Sequence, residues 1–186
     1  HFNHLIEKPT EQGFVHYEIS NFGKPNYFSK HNTSYWQGKS YLGIGPSAHS
    51  FSKTHRSWNV ANNTKYIQSI QKNELPNTVE TLSVKDQYNE YIMTGLRTIW
   101  GVSLYRIENE FGELYLNHLK KSSKKYISQD LLVIANHSKK LYHSVLSNID
   151  NSEKECHPEL VEESIIKTTQ KGKFLVDGIA AELFMI

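Results

Sequence analysis

Cysteine is nearly absent from this chain, and its scarcity excludes two kinds of protein. The 186 residues contain one cysteine, Cys156. A single thiol cannot form a disulfide within the chain, which excludes a small scaffold held together by disulfides. It also cannot hold an iron–sulfur cluster alone, because these clusters normally take several cysteine ligands. We therefore assign no cluster ligand to this chain.

Long hydrophobic runs are lacking as well. No apolar stretch approaches the roughly 20 residues that are needed to span a bilayer. Residues 1–10 have neither the basic start nor the apolar stretch of a signal peptide. The sequence thus predicts a cytoplasmic protein without a membrane span.

A charge excess of either sign is also missing. The chain has 21 Lys and Arg residues against 19 Asp and Glu residues, a formal net charge of +2. This near-neutral balance favours neither nucleic acid nor an anionic membrane, so partners must be argued from local patches. With 38% hydrophobic and 12% aromatic residues, the chain can bury the core of one domain or of two small ones.

What the chain does contain is a stretch dense in His, Asn, Tyr, Trp and Gly between residues 16 and 51. Its most distinctive segments are residues 31–36 (His-Asn-Thr-Ser-Tyr-Trp) and residues 41–51 (Tyr-Leu-Gly-Ile-Gly-Pro-Ser-Ala-His-Ser-Phe). Buried polar side chains need partners and glycine weakens strands, so a segment of this composition is unlike a plain core. It predicts the lining of a pocket.

The alternation over residues 14–22 predicts a strand with one polar face, formed by His16, Glu18 and Ser20. If this strand belongs to a parallel barrel covered by helices, its polar face looks into the lumen. Residues 21–39 are rich in Gly, Pro, Asn and Ser, which predicts a long loop that carries residues 31–36.

Residues 41–44 are again strand-like, and Gly45-Pro46 stops regular pairing, so residues 47–50 would face the barrel mouth. A helix through Tyr66 and a polar linker closed by Pro76 follow. We place the domain boundary there, which divides the chain into residues 1–76 and 77–186.

The second part is predicted to be mainly helical. Ser83 and Asp86 resemble a capping box, and apolar residues then recur at helical spacing up to Gly101. Ser103 can cap a short helix that ends at Gly112.

Residues 113–127 predict a further helix, residues 131–134 a strand, and residues 171–183 a last helix with Thr168 or Thr169 as its cap. The order helix, helix, helix, strand, helix predicts a winged-helix-like domain.

Five segments together carry a resemblance to a known family. Residues 16–22, 31–36, 41–51, 91–98 and 169–184 resemble, in this order, the oxygen-independent coproporphyrinogen III oxidase family of radical S-adenosylmethionine proteins. The His-Asn-x-x-Tyr-Trp stretch is similar to the haem-chaperone branch. The resemblance implies an α/β fold: the C-terminal strands of a partial (β/α) barrel, followed by a mainly helical winged-helix-like domain.

The resemblance also implies that the chain is a C-terminal fragment. It lacks the family's Cys-x-x-x-Cys-x-x-Cys motif, it begins with His1, and its first recognisable element is a late barrel strand. In the full-length parent, the [4Fe–4S] cluster and the main S-adenosylmethionine contacts would lie in the missing N-terminal part. The fragment alone is expected to have no radical activity.

For function, the resemblance implies binding of haem or another tetrapyrrole and its delivery to a haem-acceptor protein. The enzyme alternative is oxidative decarboxylation of the propionates of coproporphyrinogen III, which shares the fold. Residues 31–36 favour the chaperone. A distant alternative is nucleic-acid binding through the lysines at 120, 121, 124 and 125, but lysines without interleaved arginine in a near-neutral chain favour a solvated helix face.

His31 is the candidate haem ligand, because a neutral imidazole can bind iron and the rings of Tyr35 and Trp36 can pack on a porphyrin. The alternative is that His31 fixes a loop by a hydrogen bond to Asn32 or to a backbone carbonyl. His49 lies among small residues that allow close approach to a ligand, or that simply form a tight turn.

The resemblance places this second stretch beside the S-adenosylmethionine or tetrapyrrole side of the barrel. Arg56 is a candidate for a propionate, as is Arg97, for which an ion pair between domains is the alternative. The predicted cofactor-binding residues are His31, Asn32, Tyr35, Trp36, Gly45, Ser47, Ala48, His49 and Arg56.

Residues 135–164 depart from the family, whose members connect these strands by a short wing. Their polar, charged composition predicts a solvated insertion. It includes His137, His143, Cys156 and His157, which lack the spacing of a structural zinc site.

Overall fold

A computed structural model describes residues 2–137 and 163–186. The first part of the chain forms α1 (Phe2–Glu11), β1 (Val15–Glu18), β2 (Asn21–Gly23), α2 (Lys30–Trp36), β3 (His49–Ser52), β4 (His55–Asn59), α3 (Asn63–Gln71) and β5 (Asn77–Thr81). The second part forms α4 (Val84–Leu96), β6 (Val102–Ser103), α5 (Leu104–Phe111), α6 (Glu113–Ser128), β7 (Leu132–His137), β8 (Glu163–Thr168), a 3-10 turn (Gly172–Leu175) and α7 (Val176–Glu182). The mixed α/β class is as predicted.

The single strand predicted over residues 14–22 is instead a hairpin of β1 and β2. The chain reverses because the Glu18 carboxylate accepts hydrogen bonds from the Ser20 backbone N–H and the Asn21 side chain. His16, Tyr17 and Glu18 of β1 are all buried, so both faces of this strand are covered.

Residues 31–36 lie in helix α2, not in a loop as predicted. The Ser29 hydroxyl caps the helix by accepting a hydrogen bond from the Asn32 backbone N–H. The helix has only seven residues, too few to show a helical periodicity in the sequence.

Residues 41–44 do not form the predicted strand. Only Tyr41 pairs, with Phe51 of β3, through hydrogen bonds of 2.9 and 3.0 Å. Gly43 leaves the pairing because its backbone packs directly on His49, where an added Cβ would lie 2.2 Å from the His49 carbonyl oxygen. The antiparallel hairpin of β3 and β4 was not predicted, because its polar sequence lacks a clear apolar alternation.

Helix α3 is confirmed, and β5 follows Pro76 directly. Strand β5 pairs with β4 over its whole length, which completes a three-stranded antiparallel sheet. This sheet therefore continues to Thr81, beyond the predicted domain boundary at residue 76. The boundary itself stays a prediction.

The capping box of α4 is confirmed, with Ser83 and Asp86 bonding each other's backbone N–H groups. The helix ends at Leu96, earlier than the predicted end at Gly101. The reason is a tertiary contact, because the residues after the helix bond to the first hairpin. Ile19 N–H donates to the Arg97 carbonyl at 3.2 Å, and Ile99 N–H donates to the Tyr17 carbonyl at 3.1 Å.

Helices α5 and α6 begin and end close to their predicted bounds, and β7 is confirmed. Strand β8, which was not predicted, pairs with both β6 and β7 in an antiparallel sheet of order β6-β8-β7. The last helix is divided into a 3-10 turn and α7, and the Thr169 hydroxyl accepts a hydrogen bond from Gly172 N–H. The elements follow the predicted order of helix, helix, helix, strand and helix, with β6 and β8 added to it.

The core of the second part lies between α4, α6, α7 and the sheet. Tyr88, Ile92 and Leu96 of α4 are fully buried at the predicted helical spacing. The Tyr88 hydroxyl donates to the Leu183 carbonyl at 3.1 Å, which ties α4 to the end of α7. Among the helices of the described residues, none is long and apolar enough to cross a membrane.

Candidate functional site

Helix α2 has an anchored side formed by Asn32 and Trp36, which lie one helical turn apart. The Asn32 side-chain amide donates to the Asn21 side-chain oxygen at 3.2 Å. The Arg97 guanidinium lies over the Trp36 ring, 5.2 Å from its centroid. Two predicted site residues therefore hold the helix in place.

The adjacent pair, His31 and Tyr35, is also one turn apart and is exposed. We call these two residues the His31–Tyr35 face. The Tyr35 ring lies 5.6 Å from the Tyr41 ring, which in turn stacks on Phe51 at 6.1 Å. An aromatic row of Tyr35, Tyr41 and Phe51 thus runs from α2 to β3.

Two large apolar side chains follow Tyr41 in the chain and are exposed. Leu42 is 77% and Ile44 is 83% exposed. Burial of its hydroxyl end, with the nearby Tyr35, raises the pKa of Tyr41, so its phenol stays neutral.

The structure does not give His31 the loop-fixing role that was its alternative interpretation. That role belongs to Ser29 and Asn32, through the helix cap and the bond to Asn21. In the part of the chain that the structure describes, no hydrogen bond of the His31 ring is found.

The buried carboxylate of Glu18 lies at the centre of a polar network. Only 1% of Glu18 is exposed, and Arg97 Nη2 donates to its Oε1 at 3.3 Å. The same guanidinium donates from Nη1 to Asp177 of α7 at 2.5 Å. For Arg97, the structure thus shows the ion-pair alternative rather than an arginine open to a propionate.

The turn at residues 43–50 is held by Asn59, which sequence reasoning missed. Its buried side chain donates to the carbonyls of Gly43 and Gly45, at 3.3 and 2.8 Å. Gly45 has a φ of 104°, a conformation that favours glycine. Asn59 precedes an Asn-rich turn. The local sequence therefore does not show that this asparagine is buried, since asparagine is also common in exposed turns.

Ser47 and His49 line a cleft of about 630 Å³. The cleft also contains Trp58, whose ring lies 6.2 Å from that of His49, and it extends to Pro76 and Thr78. Gly45 and Ala48 do not line this cleft but belong to the adjoining turn, in which Ala48 N–H donates to the Gly45 carbonyl at 3.3 Å.

The two predicted segments meet through the aromatic row. Arg56 of β4 is paired with Glu90 of α4, an ion pair that joins the two parts of the chain. Across residues 2–137 and 163–186, no group of three or more potential ligands could hold a metal ion. His143, Cys156 and His157 lie outside the described residues, as does most of the predicted insertion.

A second buried polar contact joins His16 to Lys173. The His16 Nε2–H donates to the Ile19 carbonyl at 2.9 Å, and the Lys173 amine donates to His16 Nδ1 at 3.1 Å and to the His16 carbonyl at 3.2 Å. Burial lowers the pKa of both side chains. This bonding pattern requires a neutral imidazole.

Comparisons with known proteins agree with this architecture. Residues 82–141 match the HemN C-terminal domain. The chain is 34% identical over 110 residues to the heme chaperone HemW of Lactococcus lactis and 34% identical over 109 residues to that of Bacillus subtilis. These alignments cover 59% and 58% of this chain but only 29% of each relative.

Among solved structures, the chain resembles coproporphyrinogen III oxidase (HemN) from Escherichia coli, a radical SAM enzyme. The TM-score is 0.63 over 98% of this chain and 40% of that one, at 15% sequence identity, so this likeness concerns the fold. Part of this chain thus matches the HemN C-terminal domain, and the chain is similar in sequence to heme chaperones and in fold to a radical SAM enzyme.

Proposed function

We propose that this chain is the C-terminal part of a haem chaperone, which holds haem through His31 and passes it to an acceptor protein. The observation that carries the proposal is the His31–Tyr35 face, where an exposed imidazole lies one helical turn from an exposed aromatic ring. The sequence relatives named above are heme chaperones, which supports this choice.

The chemistry of this face suits haem. A neutral imidazole is a common axial ligand of haem iron. The porphyrin is flat and apolar, so Tyr35, Tyr41 and the exposed Leu42 offer a surface on which it can pack. A site at the surface leaves the other side of the macrocycle open to an acceptor, as a transfer between proteins requires.

The remaining predicted residues take two different roles in this proposal. Asn32 and Trp36 orient the helix, since their side chains contact Asn21 and Arg97. Ser47 and His49 line the cleft beside Trp58, and Gly45 and Ala48 belong to the adjoining turn. We assign this region to the S-adenosylmethionine or tetrapyrrole side of the parent protein. Arg56 would reach a propionate only in competition with Glu90.

The residues present do not fit a [4Fe–4S] cluster. The chain has one cysteine, which cannot supply several thiolates. We therefore derive no step through a cluster, and we assign the cluster and the main S-adenosylmethionine contacts to parts of the parent outside this sequence. A cytoplasmic location is part of the same proposal.

Coproporphyrinogen III oxidase activity is the alternative for the parent, because a solved structure that this chain resembles in fold is that enzyme. Residues 31–36 and the chaperone relatives favour haem delivery. Nucleic-acid binding has less support, since Lys125 of the basic helix pairs with Glu182. The other three lysines of that cluster form an exposed face, as a solvated helix would.

A haemin titration followed by Soret absorbance tests the proposal. We expect saturable binding by the natural chain, and we expect His31→Ala to weaken it at least about tenfold, a loss of about 1.4 kcal/mol. His4→Ala is the matched control, because His4 is also an exposed helical histidine but lies on α1. His49→Ala tests the other candidate and should bind as the natural chain does.

Equal binding by the natural chain and by all three variants would contradict the assignment of His31 and indicate non-specific adsorption. Loss of binding in His49→Ala alone would move the haem site to the cleft. Absence of binding by the natural chain would show that this part of the protein does not hold haem alone.

A further inference from the structure

Arg97 is the point at which three separate elements meet. Its guanidinium bonds Glu18 of β1 and Asp177 of α7, and it lies over the ring of Trp36 of α2. Glu18 also accepts the Asn21 side chain, which in turn accepts the Asn32 amide of α2. Helix α2 is thus tied to Arg97 twice, once through a ring and once through a chain of amides.

Electrostatics make this arrangement sensitive to each of its members. Glu18 is 1% exposed, and a buried carboxylate is costly unless it is paired and hydrogen-bonded. Arg97 supplies the pairing charge, while the side chain of Asp177 is 66% exposed and reaches it from the surface. A change at exposed Asp177 therefore acts on a buried ion pair.

The planar shape of the Arg97 guanidinium couples its bond with Asp177 to its contact with the Trp36 ring. The group is a rigid planar fork, so the bonds at Nη1 and Nη2 cannot adjust separately. Its Nε is buried and has no hydrogen-bond partner among the described residues, so no third bond holds the plane. Loss of the Asp177 bond lets the plane rotate over the Trp36 ring.

We propose that Arg97 is a positioning residue that makes the orientation of the His31–Tyr35 face depend on α7. The consequence for haem rests on the proposed function: the bond between Asp177 of α7 and Arg97 would set the affinity of α2 for haem. The coupling between Asp177 and Trp36 is a property of the protein without haem and can be measured on its own.

The test uses Asp177→Asn, with Glu182→Gln as the matched control. Both residues are exposed on α7, and each forms an ion pair with a basic side chain. The partner of Asp177 is Arg97, directly after α4, whereas the partner of Glu182 is Lys125 of α6. The first readout is the indole N–H resonance of Trp36 in haem-free protein, identified among the three tryptophans by Trp36→Phe. The second is haemin affinity.

We expect Asp177→Asn to shift the Trp36 resonance and to weaken haemin binding by about twofold to tenfold, within the usual range of such couplings. Glu182→Gln should leave the Trp36 resonance and the haemin affinity unchanged. Asp177→Glu, which keeps the carboxylate, should also retain the natural values of both. A Trp36 resonance that is the same in Asp177→Asn and Glu182→Gln would overturn the proposal. If haemin does not bind but Asp177→Asn still shifts Trp36, the coupling stands and the proposed function fails.

Discussion

At the scale of single residues, the contact between His16 and Lys173 makes the stability of the fold depend on pH. Burial lowers the pKa of His16 below its ordinary value of 6.5, and the nearby Lys173 charge adds to this effect. The Ile19 carbonyl and Glu18 oppose it. A protonated imidazole would also lose the acceptor that Lys173 bonds.

The consequence is a loss of stability in acid. In the unfolded chain His16 takes up a proton near pH 6.5, whereas the folded protein takes it up at lower pH. The unfolded state therefore binds more protons below pH 6.5, and the free energy of unfolding decreases as pH falls through this value. We expect urea unfolding at about pH 7.5 and about pH 5.5 to show this decrease in the natural protein.

The variant His16→Gln should show a smaller decrease, because its amide can donate to Ile19 and accept from Lys173 without titrating. His49→Gln is the control, since His49 is exposed. A pH dependence of His16→Gln as steep as that of His49→Gln would contradict this interpretation of the His16 contact.

Single residues also show what sequence reasoning can find in the site. His31 and Tyr35 were identified because their segment is unusual in composition. The partners of Glu18 were not, because Arg97 and Asp177 lie far along the chain and no local spacing relates them to Glu18. Pairing at such separation is a tertiary property, which a sequence pattern of period 2 or 3.6 does not encode.

At the scale of elements, α4 and α2 differ in how much their own sequences specify. The start of α4 was predicted correctly, because a capping box is a local bonding pattern between Ser83 and Asp86. Its end was not, because the first hairpin draws the following residues out of the helix. Helix α2 was missed since it is short and its flanks are typical of loops.

The capping box gives a prediction about stability. Ser83→Ala removes the hydroxyl that accepts from Asp86 N–H, and we expect the free energy of unfolding to fall by about 1 kcal/mol. Urea denaturation measures the change. Ser52→Ala, at an exposed serine of β3, should have little effect, and equal values for the two variants would argue against a stabilising cap.

At the scale of the whole molecule, polar bridges join the first part of the chain to the winged-helix-like part. They comprise Arg56 with Glu90, Glu18 with Arg97 and Asp177, and His16 with Lys173. The haem-binding face that we propose lies on α2, in the first part of the chain. Arg97, which follows α4 in the second part, contacts α2 through the ring of Trp36. These contacts therefore connect the proposed haem-binding face to the second part of the chain.

The most direct test of the proposed function is whether free imidazole replaces the side chain of His31. The Soret spectrum of the haemin-loaded natural chain would be compared with that of His31→Ala, before and after addition of imidazole. We expect His31→Ala to lose the spectrum of histidine-ligated haem and imidazole to restore it. A His31→Ala spectrum identical to that of the natural chain without imidazole would contradict the assignment of His31 as the haem ligand.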